Sequence, residues 1–81
     1  MKTELTLKST AGLHAQLASK VVQVSAQYDA EITLEYSDKV VDAKSILGLM
    51  SLAVPKGENV KIVAEGNEAE KALKDLKKIL S

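Results

Sequence analysis

The chain has 81 residues, 46% of them hydrophobic, which predicts one domain over residues 1–81 with one hydrophobic core. It contains no cysteine, so disulfides, cysteine-ligated zinc and thiol catalysis are excluded, and a reducing compartment such as the cytoplasm is permitted. No apolar run approaches the roughly 20 residues that span a bilayer, so we expect no membrane insertion. The N-terminus passes directly into an alternating pattern, so we expect no signal peptide. The 11 basic and 11 acidic residues cancel, so we expect no nucleic-acid partner.

The first half of the chain alternates between strand and helix patterns. Residues 2–8 alternate apolar and polar side chains, which predicts a half-buried strand. After a loop, apolar residues recur at helical spacing over residues 15–26 and predict the first helix. Residues 30–36 alternate again, and the turn-forming residues 37–38 predict a hairpin with a short third strand at residues 39–43.

The second half of the chain carries clear helix-start signals. Ser45 is a good N-cap for a short apolar helix over residues 46–52, and alternating residues at 60–64 predict the fourth strand. Asn67 is the predicted N-cap of the last helix, and Glu70 completes a pattern that resembles a capping box. The order β-α-β-β-α-β-α predicts an α+β fold in which three helices cover one face of a four-stranded sheet.

The only histidine, His14, directly precedes the first predicted helix. A helix start presents free backbone N–H groups and the positive end of the helix dipole, which together favour an anion. A phosphoryl group on the imidazole would meet the N–H groups of Gln16 and Leu17, and Gly12 would let the backbone bend closely enough to aim the ring. The alternative interpretation is a solvated loop residue with no chemical role.

Ser45 also has two interpretations. As an N-cap, its side-chain oxygen satisfies an orphan backbone N–H group and its role is structural. An N-cap serine is also a favourable phosphorylation site, because the added negative charge would face the positive end of the dipole.

The segment after Ser45 is apolar on more faces than one short helix can bury. We therefore expect Leu49 and Leu52 to point inward and Leu47 and Met50 to remain at the surface. An exposed apolar patch beside polar residues is typical of a docking site, and methionine adapts to several partners. The alternative is that the whole segment belongs to the core.

The sequence lacks the residues or the spacing for other kinds of active site. One histidine without cysteine does not make a standard transition-metal site, so we expect no metal and no cofactor. Nothing pairs Asp38 with Asp42 as an acid/base couple, and the spacing of His14, Ser19 and Asp42 does not favour a catalytic triad.

Two motifs resemble a known family. Ala11-Gly12-Leu13-His14-Ala15 resembles the active-site segment of the HPr family, the histidine-containing phosphocarriers of the bacterial phosphotransferase system. The longer run over residues 41–52 is similar to the regulatory segment of that family, and the resemblance covers essentially the whole chain in the same element order. It implies an HPr-like open-faced sandwich, with a four-stranded antiparallel sheet and three helices on one face.

The resemblance also implies roles for individual residues. His14 would take phosphate from Enzyme I and pass it to sugar-specific IIA components, so the protein would be a cytoplasmic, monomeric carrier and not an enzyme. Ser45 would be the target of an HPr kinase/phosphorylase, and the serine-phosphorylated form would bind a catabolite-control repressor. The implied docking surface consists of Leu17, Ile46, Leu47 and Met50.

The chain departs from the family pattern directly after the histidine. Where the family has Ala-Arg-Pro, this chain has Ala15-Gln16-Leu17, and it contains no arginine at any position. Gln16 can donate a hydrogen bond but carries no charge, and a charge-assisted bond contributes roughly 1.5–3 kcal/mol, so transfer would slow by about ten- to a hundredfold. Leu17 adds an N–H group at the helix start and loses the preorganisation of proline.

Two functional classes follow from these residues. The first is a phosphocarrier that uses His14 as a transient nucleophile. The second is a regulatory module that acts through Ser45, like the HPr-like catabolite repression protein, with little or no transfer through the histidine. The presence of His14 favours the first class, whereas the unusual Gln16-Leu17 pair leaves room for the second, for a specialised paralogue or for an engineered variant.

Overall fold

The computed structural model describes residues 1–81, which form four strands and three helices in the predicted order. The ends of each element lie within two residues of the sequence-based prediction. The elements are β1 (Lys2–Thr6), α1 (Ala15–Ala26), β2 (Glu31–Tyr36), β3 (Lys39–Asp42), α2 (Ile46–Leu52), β4 (Asn59–Glu65) and α3 (Ala69–Leu80).

The strands form one antiparallel sheet in the order β1-β4-β2-β3. Only β2 and β3 are joined by a hairpin, in which Leu34 lies opposite Val41. The last strand inserts between β1 and β2, with Leu5 opposite Val60 on one side and Leu34 opposite Ile62 on the other. Strand β4 is therefore an inner strand of the sheet, and it joins β1 to the β2–β3 hairpin.

The core lies between one face of this sheet and the three helices. Ile32 and Leu34 on β2 are buried, because successive strand residues point to opposite faces and these two share the inner one. Thr33 and Glu35, between and after them, are only half-buried on the other face. The helices add to the same core the buried residues Leu17, Ala18, Val21, Leu49, Leu52, Ala69, Ala72, Leu73, Leu76 and Leu80. This arrangement confirms the predicted sandwich with all three helices on one face of the sheet.

The start of α3 differs from the prediction. The helix begins at Ala69 with Glu68 at the N-cap position and no side-chain cap, so the prediction that Asn67 caps this helix is wrong. The Asn67 side-chain amide instead donates to a carboxylate oxygen of Asp29, at 3.3 Å. A carboxylate oxygen of Glu68 accepts from the Asp29 backbone N–H group, at 2.8 Å. Because both polar side chains are engaged by the loop before β2, neither is free to cap its own helix.

Strand β1 ends earlier than its alternating pattern. Leu7 is buried and continues the inward alternation, but its N–H group donates to the Glu58 carbonyl, at 2.9 Å, and its carbonyl accepts from Gly57, at 2.8 Å. These partners lie in the loop before β4 and not in a strand. The alternating pattern therefore predicts the burial of Leu7 correctly. The strand ends before Leu7 because the segment opposite it, Gly57 and Glu58, is a loop.

Candidate functional site

His14 is the N-cap residue of α1. Its backbone is extended, with φ −94° and ψ 176°, and its carbonyl accepts the first helical hydrogen bond, from Ala18, at 2.9 Å. The imidazole makes no capping hydrogen bond, and the residue is half-buried. The His14 backbone therefore places the residue at the N-terminus of α1, while the two ring nitrogens make no hydrogen bond.

The loop before His14 is anchored to the segment that follows α2. Leu13 is buried, and its N–H group donates to the Val54 carbonyl, at 2.8 Å. Gly12 adopts a left-handed backbone, with φ 70°, and a Cβ atom at this position would lie 2.4 Å from the same carbonyl oxygen. Glycine is therefore required here both by backbone conformation and by the close approach of the segment after α2.

The first backbone N–H groups of α1 have no hydrogen-bond partner. The first intrahelical acceptor, the His14 carbonyl, is taken by Ala18, and the N–H groups of Ala15, Gln16 and Leu17 have no backbone acceptor. No acidic residue occupies the first turn, and no side chain caps it. An anion on the ring would therefore meet free donors and no competing carboxylate.

The side chains near His14 form an open cleft of about 600 Å³. Gln16, where the resemblance implies an arginine, is exposed and lines the cleft as a neutral hydrogen-bond donor. Lys20 is the one permanent positive charge on the cleft, and sequence reasoning did not single it out. The lining consists of His14, Gln16, Leu17, Ser19, Lys20 and Gln23.

Ser45 is the N-cap of α2, which confirms the structural part of the prediction. Its Oγ accepts from the Gly48 N–H group, at 3.1 Å, and its carbonyl accepts from Leu49, at 3.0 Å. A Cβ atom on Gly48 would lie 3.3 Å from this Oγ and 3.2 Å from the Val41 side chain. Glycine has a low helix propensity, but at position 48 it leaves room for the Ser45 side chain and for Val41 on β3.

The outward face of α2 carries exposed apolar side chains. Ile46, Leu47 and Met50 are 41%, 81% and 41% exposed, whereas Leu49 and Leu52 are buried. The predicted division of this helix into inward and outward residues is therefore confirmed. Leu17 differs from the other residues of the implied docking surface, because it packs into the core and only 8% of it is exposed.

Asp42, one of the acidic residues considered in the sequence analysis, makes a local hydrogen bond. A carboxylate oxygen of Asp42 accepts a hydrogen bond from the Lys44 N–H group, at 2.9 Å, and so shapes the turn between β3 and α2.

No group of three or more histidine or acidic side chains is arranged to hold a metal ion. None of the three helices has the length and apolar character needed to cross a membrane.

The family model for the HPr component of the phosphotransferase system, described as its phosphorylation site, matches residues 1–81. The chain belongs to the HPr family. Proteins of the HPr family are phosphocarrier components of that system and not enzymes in their own right. The identification agrees with the fold, since the sheet order and the three helices are those of the HPr sandwich.

Solved structures of the HPr family superpose closely on this chain. HPr of Bacillus anthracis str. Ames is 36% identical over 100% of this chain and 96% of that one, with a TM-score of 0.96. HPr-C-His of Thermoanaerobacter tengcongensis is 39% identical over 99% and 90%, with a TM-score of 0.94. Crh, the catabolite repression protein of Bacillus subtilis, is 37% identical over 93% and 86%, with a TM-score of 0.79, and is described as a dimer with a swapping domain. Both a phosphocarrier and a catabolite-repression protein are thus similar to this chain.

Proposed function

We propose that this protein is a phosphocarrier of the phosphoenolpyruvate-dependent sugar phosphotransferase system. His14 accepts a phosphoryl group from Enzyme I and passes it to IIA components. The observation that carries this proposal is an imidazole with uncommitted nitrogens, held beside the free N–H groups of Ala15, Gln16 and Leu17. No cofactor or metal takes part in the proposed transfer.

The transfer is a displacement at phosphorus. The lone pair of a neutral imidazole nitrogen of His14 attacks the phosphorus atom, an N–P bond forms, and the donor's bond to phosphorus breaks with its electron pair returning to the donor. Onward transfer reverses these roles, so no proton is gained or lost overall. The free amides hold the charged oxygens throughout, and because they are fixed by the helix they need no reorganisation during the step.

The loop before the helix positions the nucleophile. Leu13 donates a hydrogen bond to the Val54 carbonyl and Gly12 lies close to the same oxygen, so the backbone directly before His14 is held in place. Gln16 offers the phosphoryl group a neutral donor where the family has a charged one. We therefore propose that transfer occurs with a reduced rate and not that it is lost, because the backbone donors are retained.

We propose that the apolar patch on α2 docks the partner proteins. Ile46, Leu47 and Met50 are exposed together, and the end of α2 is tied to the His14 loop through Val54. A partner that covers this patch would therefore lie next to the histidine. Leu17 contributes to this surface only through the small exposed part of its side chain beside the cleft.

We further propose that Ser45 is a regulatory phosphorylation site, used by an HPr kinase/phosphorylase. The residue is half-buried, and its Oγ accepts only the Gly48 N–H group, so the hydroxyl hydrogen is not engaged. Its position directly before the patch means that a phosphate there would change the charge of the docking surface. A phosphorylated Ser45 would then be recognised by a catabolite-control repressor.

The second candidate function is a regulatory module that acts through Ser45 alone. The specific observations that favour it are the neutral Gln16 in the cleft and the similarity to Crh. In this case His14 would exchange little or no phosphate. For the carrier, a cytoplasmic monomer is the proposed working form, although the Crh structure is a dimer.

A paired phosphorylation assay separates the two functions. Incubation with phosphoenolpyruvate and Enzyme I should label the wild type with an acid-labile phosphate, and His14→Ala should abolish the label while Ser45→Ala keeps it. Absence of this label, together with ATP-dependent labelling that Ser45→Ala abolishes, would contradict the carrier and support the regulatory module. Circular dichroism of both variants checks that the fold is retained.

A further inference from the structure

Lys20 lies on the cleft that contains His14. It is the sixth residue of α1, is exposed, and lines the cleft together with Gln16 and Gln23 from the same helix. Residues four apart on a helix have Cβ atoms about 5–6 Å apart, so the Lys20 side chain starts one turn behind Gln16. The side chains of an α-helix tilt toward its N-terminus, which directs the four-carbon stem of Lys20 toward the end where His14 lies.

The charge around this cleft comes from one side chain. All 11 basic residues of the chain are lysines, and within residues 9–28 Lys20 is the only side chain with a permanent charge. Of the lysines, only Lys44 donates side-chain hydrogen bonds, to the carbonyls of Tyr28 and Ala30. The Lys20 ammonium group is thus both uncommitted and unopposed by any acidic neighbour along the chain.

A phosphoryl group on an imidazole needs more than neutral donors. It carries close to two negative charges, and bonds to a charged donor are roughly twice as strong as neutral ones. The N–H groups at the helix start and the Gln16 amide are neutral, and no guanidinium exists in this chain. The only full positive charge that lines the cleft is on Lys20.

We propose that the Lys20 ammonium group binds the phosphoryl group carried by His14 and acts as the cation of this site. The inference rests on the proposed phosphocarrier function and assigns the residue that stabilises the phosphorylated state. Because lysine is a compact charge on a flexible stem, it neutralises the phosphoryl oxygens without fixing their geometry. Since the group is exposed, its contribution falls as salt is added.

Three variants test this assignment. Lys20→Gln removes the charge and keeps a polar side chain, and Lys20→Arg keeps the charge. Lys74→Gln is the matched control, since Lys74 is the exposed sixth residue of the twelve-residue α3, as Lys20 is of the twelve-residue α1. Two quantities are measured at low and high salt: the initial rate of His14 phosphorylation by phosphoenolpyruvate and Enzyme I, and the apparent Kd of inorganic phosphate from NMR shifts of the His14 ring.

We expect Lys20→Gln to slow phosphorylation and weaken phosphate binding by about three- to tenfold at low salt, with a smaller difference at high salt. Lys20→Arg should stay close to the wild type, and Lys74→Gln should match it. Lys20→Gln indistinguishable from Lys74→Gln in both measurements would overturn the assignment. So would Lys20→Arg being as impaired as Lys20→Gln, because that result would assign the role to the stem and not to the charge.

The outcomes also separate this inference from the proposed function. If the wild type and Lys20→Gln are both phosphorylated on His14 at the same rate, the role of Lys20 is refuted and the carrier function is supported. A wild type that binds inorganic phosphate through Lys20 but is never phosphorylated on His14 supports the anion-binding role and refutes the carrier.

Discussion

At the scale of single residues, Gly12 shows how the backbone positions the candidate nucleophile. Its positive φ and its close approach to the Val54 carbonyl are two separate demands, and only glycine meets both. Gly57 provides a comparison within the same chain. It also has a positive φ, of 89°, but a Cβ atom there would meet nothing within 4 Å.

Gly12→Ala should therefore destabilise the fold by about 2–3 kcal/mol and slow phosphorylation of His14, because the Val54 segment must move away from the loop. Gly57→Ala should cost only about 1 kcal/mol of backbone strain and leave phosphorylation unchanged. Urea unfolding and the Enzyme I assay measure the two effects. Equal losses in both variants would show that the contact with Val54 plays no part in positioning His14.

At the scale of elements, α2 is divided between the core and the surface. Leu49 and Leu52 pack into the core, while Ser45 caps the helix and the patch of Ile46, Leu47 and Met50 faces outward. The helix has only seven residues, so it depends on this packing and not on its own propensity. One element therefore carries both a structural and a proposed docking role.

Substitutions at two leucines of α2 distinguish these roles. Leu49→Ala should destabilise the protein by about 2–5 kcal/mol, because it leaves a cavity in the core. Leu47→Ala should change stability by less than about 0.5 kcal/mol and raise the KM for this protein in the Enzyme I reaction. Unfolding curves and the dependence of rate on carrier concentration check both. An unchanged KM for Leu47→Ala would argue against the α2 patch as the docking surface.

At the scale of the whole molecule, a few hydrogen bonds join parts of the chain that are distant in sequence. The Tyr28 hydroxyl, after α1, donates to a carboxylate oxygen of Asp75 in α3. This bond raises the pKa of Tyr28, together with burial and the negative charges of Asp75 and Glu68. Because the bond joins the turn after α1 to α3, its loss should lower the stability of the whole fold and not only loosen this turn.

The raised pKa fixes the sign of a pH dependence. A tyrosine whose pKa is higher in the folded state adds stability below the ordinary pKa of about 10, and this stability is lost as the pH rises through the folded-state value. Tyr28→Phe should therefore be less stable than the wild type at pH 7, and the difference should shrink above pH 10. Urea unfolding of both proteins at several pH values gives the difference directly. A difference that stays constant up to pH 11 would contradict the assignment.

Much of the architecture follows from the sequence alone. Alternation and helical spacing are local properties, so they predict all seven elements and the burial of alternate strand residues. The Ser45 cap and the two faces of α2 follow from residue types over a few positions. The position of His14 at a helix start is predicted for the same reason, since every determinant lies within a few residues of it.

Contacts between distant segments were decided only by the tertiary structure. Asn67 is a residue type that often caps helices, but its side chain donates a hydrogen bond to Asp29 in another loop. Leu17 follows the histidine, yet the packing of α1 places it in the core. The bond from Leu13 to Val54 and the place of Lys20 on the histidine cleft depend on how elements meet. A local pattern encodes which conformation a segment adopts, whereas its neighbours are chosen by how all segments together bury their apolar faces.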